Sequence, residues 1–137
     1  MRSPSKWFEQ PKAAGKMTLV LIVDDSPTEQ HVFCKALERH GYDTVVASDG
    51  EEAIATAEQV QPEVIVMDVV MPGMNGFQAT RKLSGNPSTK QIPVVIVSAK
   101  SQETDRIWGL RQGASQYLVK PVETSDLIAA VEAALNA

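Results

Sequence analysis

Three short, continuous runs of branched aliphatic residues constrain this chain more than any other feature: Leu19-Val20-Leu21-Ile22-Val23, Val64-Ile65-Val66-Met67 and Val94-Val95-Ile96-Val97. A strand with one face in water alternates apolar and polar residues, whereas a strand covered on both faces is apolar throughout. These runs therefore predict the central strands of a parallel sheet with helices on either side.

The segments between them carry helical spacing and helix-start chemistry. Ser26-Pro27-Thr28-Glu29 reads as a capping box with proline at the first helical position, and Gly41 stands where that helix ends. Asp49-Gly50-Glu51-Glu52 opens a second helix with Ala53, Ile54 and Ala57 on one face, closed by Gln61-Pro62. Helices are further predicted at about 76–84 and 102–112, and a last one carries Leu127, Ile128, Val131 and Leu135 on one face. Tyr42 to Ala47 and Gln116 to Val119 supply two weaker strands. The result is a (βα)₅ order. Right-handed crossovers and short loops turn it into a doubly wound α/β sheet of flavodoxin-like order 2-1-3-4-5, whose ligands bind at the carboxyl ends of the strands.

Reading off those ends gives Asp24 and Asp25 after the first strand, Asp68 after the third, Ser98 after the fourth and Lys120-Pro121 after the fifth. A lone acid after a strand is usually a helix cap, a lone serine a buried small residue and a lone lysine a surface group. Together they call for a different reading. Two carboxylates about 4 Å apart repel by roughly 4 kcal/mol at an effective dielectric of 20, so three at one rim require a cation. Lys120 supplies one charge, and a hard divalent ion such as Mg²⁺ suits the rest. A carboxylate beside Mg²⁺, an ammonium and a hydroxyl is equipment for phosphoryl transfer. Asp68 is the natural nucleophile, because it ends the central strand directly before the turn-rich segment Val69 to Gly76.

Composition narrows the alternatives. The single cysteine, Cys34, excludes an internal disulfide and a thiolate zinc cage and points to an intracellular, cytoplasmic protein. Its place beside Phe33 and Leu37 marks it as core, while His31 and His40 read as solvated. No apolar run approaches the roughly 18 residues of a membrane helix. Arg2, Lys6, Lys12 and Lys16 against Glu9 leave residues 1–16 at +3, so the whole-chain charge of −4 becomes −7 for the remainder. So acidic a body repels nucleic acid. Residues 1–16 read as a disordered leader or an artefact of gene calling, with Met17 the alternative start and Trp7 and Phe8 the residues able to dock; residues 17–137 form the domain.

Leu21-Ile22-Val23-Asp24-Asp25-Ser26, Asp68 followed by Met71-Pro72-Gly73-Met74-Asn75-Gly76, Ser98-Ala99, Gly113-Ala114 and Tyr117-Leu118-Val119-Lys120-Pro121 resemble the receiver domain of bacterial response regulators over residues 18–137. The resemblance implies a CheY-like fold in which Asp68 accepts phosphate from a histidine kinase. It further implies that Asp24, Asp25, Asp68 and the backbone carbonyl of Val70 arrange Mg²⁺, with Asp25 binding directly and Asp24 through water. Ser98 and Lys120 would contact the phosphoryl group, and Tyr117 would turn inward as Ser98 moves. The surface of helix four, strand five and helix five, including Trp108, would engage a protein effector.

A closer likeness, through Asp25-Ser26-Pro27-Thr28-Glu29, Val70 to Arg81 and Gln102 to Gly109, is to single-domain regulators of type IV pilus twitching motility, the PilH kind. The leader and the serine at 98 are its departures. With the chain ending at Ala137, the expectation is a stand-alone, monomeric regulator that is not an enzyme; the alternative is a phosphate sink for a shared kinase. An aspartate-nucleophile phosphatase would want a second acid where Val70 stands, and no feature supports a flavin site.

Overall fold

Each apolar run becomes a strand, and each capped segment a helix. The order is β1 (Leu19–Val23), α1 (Pro27–Glu38), β2 (Asp43–Ala47), α2 (Gly50–Val60), β3 (Val64–Met67), α3 (Gly76–Gly85), β4 (Val94–Ser98), α4 (Glu103–Arg111), β5 (Gln116–Val119) and α5 (Thr124–Leu135). The computed structural model describes residues 17–137, so the expected leader, with Trp7 and Phe8, lies outside the described residues. The five strands are parallel in the order β2-β1-β3-β4-β5. This is the doubly wound order predicted from the sequence.

Alternate residues of the strands build two cores. Leu21, Val23, Ile65, Met67 and Ile96 face Ala53 and Ala57 of α2 and Phe77, Ala79 and Leu83 of α3. Val20, Ile22, Val64, Val66, Val95 and Val97 face Phe33 and Leu37 of α1 and Leu127 and Val131 of α5. Burial on both faces explains the unbroken apolar runs, since every position of β3 and β4, and all of β1 after Leu19, is buried. The parallel register sets Val23 opposite both Ala47 and Met67, and Ser98 opposite Val119. The residues that follow these positions therefore emerge along one rim.

Helix α4 departs from expectation. Gly109 is its one fully buried residue, packed where an added Cβ would come within 2.9 Å of the Tyr117 ring and 3.1 Å of Ile96. Gly109 and Leu110 both stand where the helix could press on the sheet, but Leu110 is 36% exposed, with Ile107 at 40% and Trp108 at 48%. Consecutive apolar residues cannot all point inward from a helix with 100° between neighbours, and Gly109 has taken the inward position. Trp108 is turned to solvent. Cys34 is half-buried against the α1–α5 core, and His31 and His40 are exposed. Among the described residues no helix is long and apolar enough to cross a membrane.

Candidate functional site

The carboxylates at the rim are held by the sheet's own hydrogen bonding, continued one residue past the strands. The Asp24 amide donates to the Ala47 carbonyl at 3.1 Å, and the Asp68 amide to that of Val23 at 2.9 Å. One oxygen each of Asp24, Asp25 and Asp68 lies within 4.8 Å of the others. Asp24 and Asp68 are buried while Asp25 is exposed, so the cluster opens to solvent on one side. Below Asp68 the start of α3 comes so close that a Cβ on Gly76 would sit 2.0 Å from the Asp68 carbonyl oxygen. Only glycine fits there. The Gly76 amide donates to the Val69 carbonyl at 2.9 Å, and an Asn75–Gln78 capping box closes the turn.

Lys120 enters from β5, two strands from Asp68. Its amide donates to the Ser98 carbonyl at 2.9 Å, which extends the β4–β5 ladder and points the side chain over the rim. Its ammonium lies 3.2 Å from Asp24 Oδ2 and 3.5 Å from Asp68 Oδ1, and pairs with Glu29 of α1. Three carboxylates thus share one ammonium, and Asp25 has no cation beside it among the described residues. Burial, followed by repulsion from Asp68 and Glu29, pushes Asp24 up to about 6 against the help of the Ser26 amide and Lys120. Burial also raises Asp68, outweighing Lys120 and the Val69 amide, which donates to Asp68 Oδ1 at 2.9 Å. Burial alone would lower Lys120, but Glu29, Asp68 and Asp24 together hold it above the ordinary lysine value. The rim is short of positive charge. An all-oxygen donor set, open on one side, fits a hard divalent cation that keeps waters of its own, as Mg²⁺ does.

Ser98 and Tyr117 meet at a single peptide segment. Ser98 is fully buried, and its Oγ accepts from the Lys100 amide at 3.1 Å. The half-buried Tyr117 donates its hydroxyl to the Lys100 carbonyl at 2.7 Å, so the β4–α4 loop is bonded to both. The Val70 side chain is exposed two residues beyond Asp68. The fold therefore brings Asp24, Asp25, Asp68 and Lys120 together and links Ser98 to Tyr117 through the loop. Glu29 is the residue that sequence reasoning treated only as a helix cap. Its partner lies 91 positions away, and nothing local announces the pairing.

Residues 20–132 match the model of the response regulator receiver domain. The chain belongs to that family. Among receiver-domain relatives, Protein PilH of Pseudomonas aeruginosa is 50% identical over 119 residues, covering 87% of this chain and 98% of that protein. The chemotaxis protein CheY4 of Vibrio cholerae superposes with a TM-score of 0.82 at 31% identity, over 88% of this chain and 100% of that one. The receiver domain of the sensor histidine kinase PA1611 of Pseudomonas aeruginosa, solved with a magnesium ion coordinated in its active site cleft, gives 0.82 at 27% identity over 89% and 100%. The CheY-like fold expected from the sequence is thus the one observed.

Proposed function

We propose that this receiver is a phosphorylation-dependent switch in which Asp68 takes a phosphoryl group from a histidine kinase. The observation that supports it best is the meeting of Asp68, at the end of the central strand, with Asp24, Asp25 and the Lys120 ammonium at one rim. Asp24, Asp25, Asp68 and the main-chain carbonyl of Val70 would hold Mg²⁺, which when bound neutralises charge on the transferring phosphoryl oxygens. An Asp68 carboxylate oxygen bonds phosphorus as the bond to the donor's imidazole nitrogen breaks, its electron pair returning to the ring. Lys120 then pairs with a phosphoryl oxygen. Ser98 leaves the Lys100 amide to donate its hydroxyl to another, and the β4–α4 loop follows it, releasing Tyr117 to turn inward.

The output in this reading is a protein contact on the face of α4, β5 and α5, and the chain acts as a cytoplasmic, monomeric, stand-alone regulator rather than as an enzyme on other substrates. The likeness to PilH along nearly its whole length supports a role in type IV pilus motility. Incubation with acetyl phosphate and Mg²⁺ should add one phosphoryl group to the intact protein by mass spectrometry. Asp68→Asn should abolish that gain; an undiminished rate would remove Asp68 from the role.

A further inference from the structure

Glu29 stands in the first turn of α1, three residues after the capping Ser26. A glutamate there ordinarily folds back onto the cap's own amide. In this chain only half of that capping box forms. The Glu29 amide donates to Ser26 Oγ at 3.3 Å, so the helix start is intact, but the Ser26 amide donates to Asp24 Oδ1 at 2.9 Å instead of to Glu29. Freed from the cap, the Glu29 carboxylate reaches over the rim and forms a hydrogen-bonded ion pair with Lys120. The Glu29 side chain is 42% exposed and that of Lys120 17%, so Glu29 holds the ammonium from the solvent side while Asp24 and Asp68 hold it from within.

An ammonium has three N–H donors. In this structure two of them are hydrogen-bonded, to Asp24 and Glu29, and at 3.5 Å the Asp68 oxygen lies farther from Lys120 than the Asp24 oxygen does at 3.2 Å. Drawing Lys120 toward a phosphoryl oxygen on Asp68 therefore works against its bond to Glu29 on the solvent side. Beside this pair Val32, Phe33, Ala99, Pro121 and Val122 bring no polar side chain to a cavity of about 510 Å³. We propose that Glu29 is a positioning residue that competes with the phosphoryl group for Lys120 and thereby restrains phosphorylation. This rests on Asp68 being the acceptor, and Glu29 itself touches no reacting atom.

The test uses the full chain with acetyl phosphate and Mg²⁺, where an Asp68 oxygen bonds phosphorus and the phosphorus–oxygen bond to the acetyl group breaks, its electron pair leaving with acetate. A titration with beryllofluoride, which occupies the phosphoryl position without turnover, gives a second readout. Glu29→Gln should speed phosphorylation and tighten beryllofluoride binding, each by about two- to fivefold, the size expected for loss of a half-exposed ion pair. Glu29→Asp keeps the charge but loses the reach, and should show the same gain. In a Lys120→Met background Glu29→Gln should change neither readout. Wild-type behaviour of Glu29→Asp, an equal gain in the Lys120→Met background, or no gain from Glu29→Gln would each overturn the competition. Phosphoryl gain that survives Asp68→Asn would instead defeat the assignment of the acceptor, so the two failures are distinguishable.

Discussion

Helices α4 and α5 lie on opposite faces of the same edge strand, yet they are held in different ways. Helix α5 buries Leu127, Ile128, Ala130, Val131 and Ala134 against the sheet, whereas α4 buries Gly109 alone and turns Ile107, Trp108 and Leu110 outward. Apolar burial stabilises by about 25 cal/mol per Å², so α5 is welded to the domain and α4 rests on it. The element best able to change position is thus the one joined, through the β4–α4 loop, to Ser98 and Tyr117. A surface that must exist in two arrangements needs elements whose displacement costs little.

The largest consequence falls on the welded helix. Leu127→Ala should lower unfolding free energy by about 3 kcal/mol in urea titration, as expected for a leucine truncated in a closed core, and a loss below about 1 kcal/mol would deny α5 its anchoring role.

The strand ends between the two helices come next, through charge. Asp24 stands at about 6 in the folded chain against its ordinary 3.8, chiefly because it is buried. A carboxyl raised on folding binds more protons folded than unfolded between those values, so metal-free stability should fall as pH rises from about 4 to about 6. The limit is about 3 kcal/mol. Asp68 is shifted in the same direction, while Glu29, held low by its hydrogen bond from Lys120, works in the opposite one and reduces the sum. Mg²⁺ should restore what is lost, because it binds the ionised carboxylates of the folded state. Thermal midpoints from pH 4 to 7, with and without Mg²⁺, test this; a metal-free midpoint that climbs through that window contradicts it.

A smaller effect is expected where α4 touches the sheet. Gly109→Ala would set a methyl against the Tyr117 ring and Ile96 at 2.9 and 3.1 Å. The side chains must give way, at a cost of about 1 kcal/mol, and hydrogen exchange in α4 should rise while that of α5 does not. Smallest of all, Trp108→Ala should change stability by under about 0.5 kcal/mol. Trp108 emission, isolated in a Trp7→Phe background, should nevertheless shift when beryllofluoride is added. If neither that emission nor capture of a partner protein changes, the sink reading gains over the messenger.

Most of this architecture was legible because the physics that sets it is local. Double-sided burial writes itself as unbroken aliphatic runs, and Asp49 and Asn75 cap the helices that follow them through side-chain bonds to the third residue onward. The rim was legible for another reason: sheet topology maps strand ends to one edge, so Asp24, Asp68 and Lys120 could be brought together without knowledge of a single distance. What sequence reasoning missed depends on competition between distant groups. The capping box at Ser26 was half formed because Asp24 took the amide and Lys120 took the glutamate. In α4, Ile107, Trp108 and Leu110 are too closely spaced to define a face, so which of them faces inward is decided by room at Tyr117 and Ile96.

The long reach of Lys120 also bears on how the domain assembles. It meets Asp24 across 96 positions of chain, from the strand at the far edge of the sheet. A nascent chain that has paired β1 with β3 already holds its acids together with no ammonium beside them. Lys120 reaches that cluster only when the last strand docks, so completion of the sheet also brings the rim its ammonium. Pairings between distant parts of a chain slow folding, because the loop they close must be ordered before they form. The same side chain that serves the finished site therefore rewards the closing step of folding, and an incompletely made chain is left with an uncompensated cluster of acids.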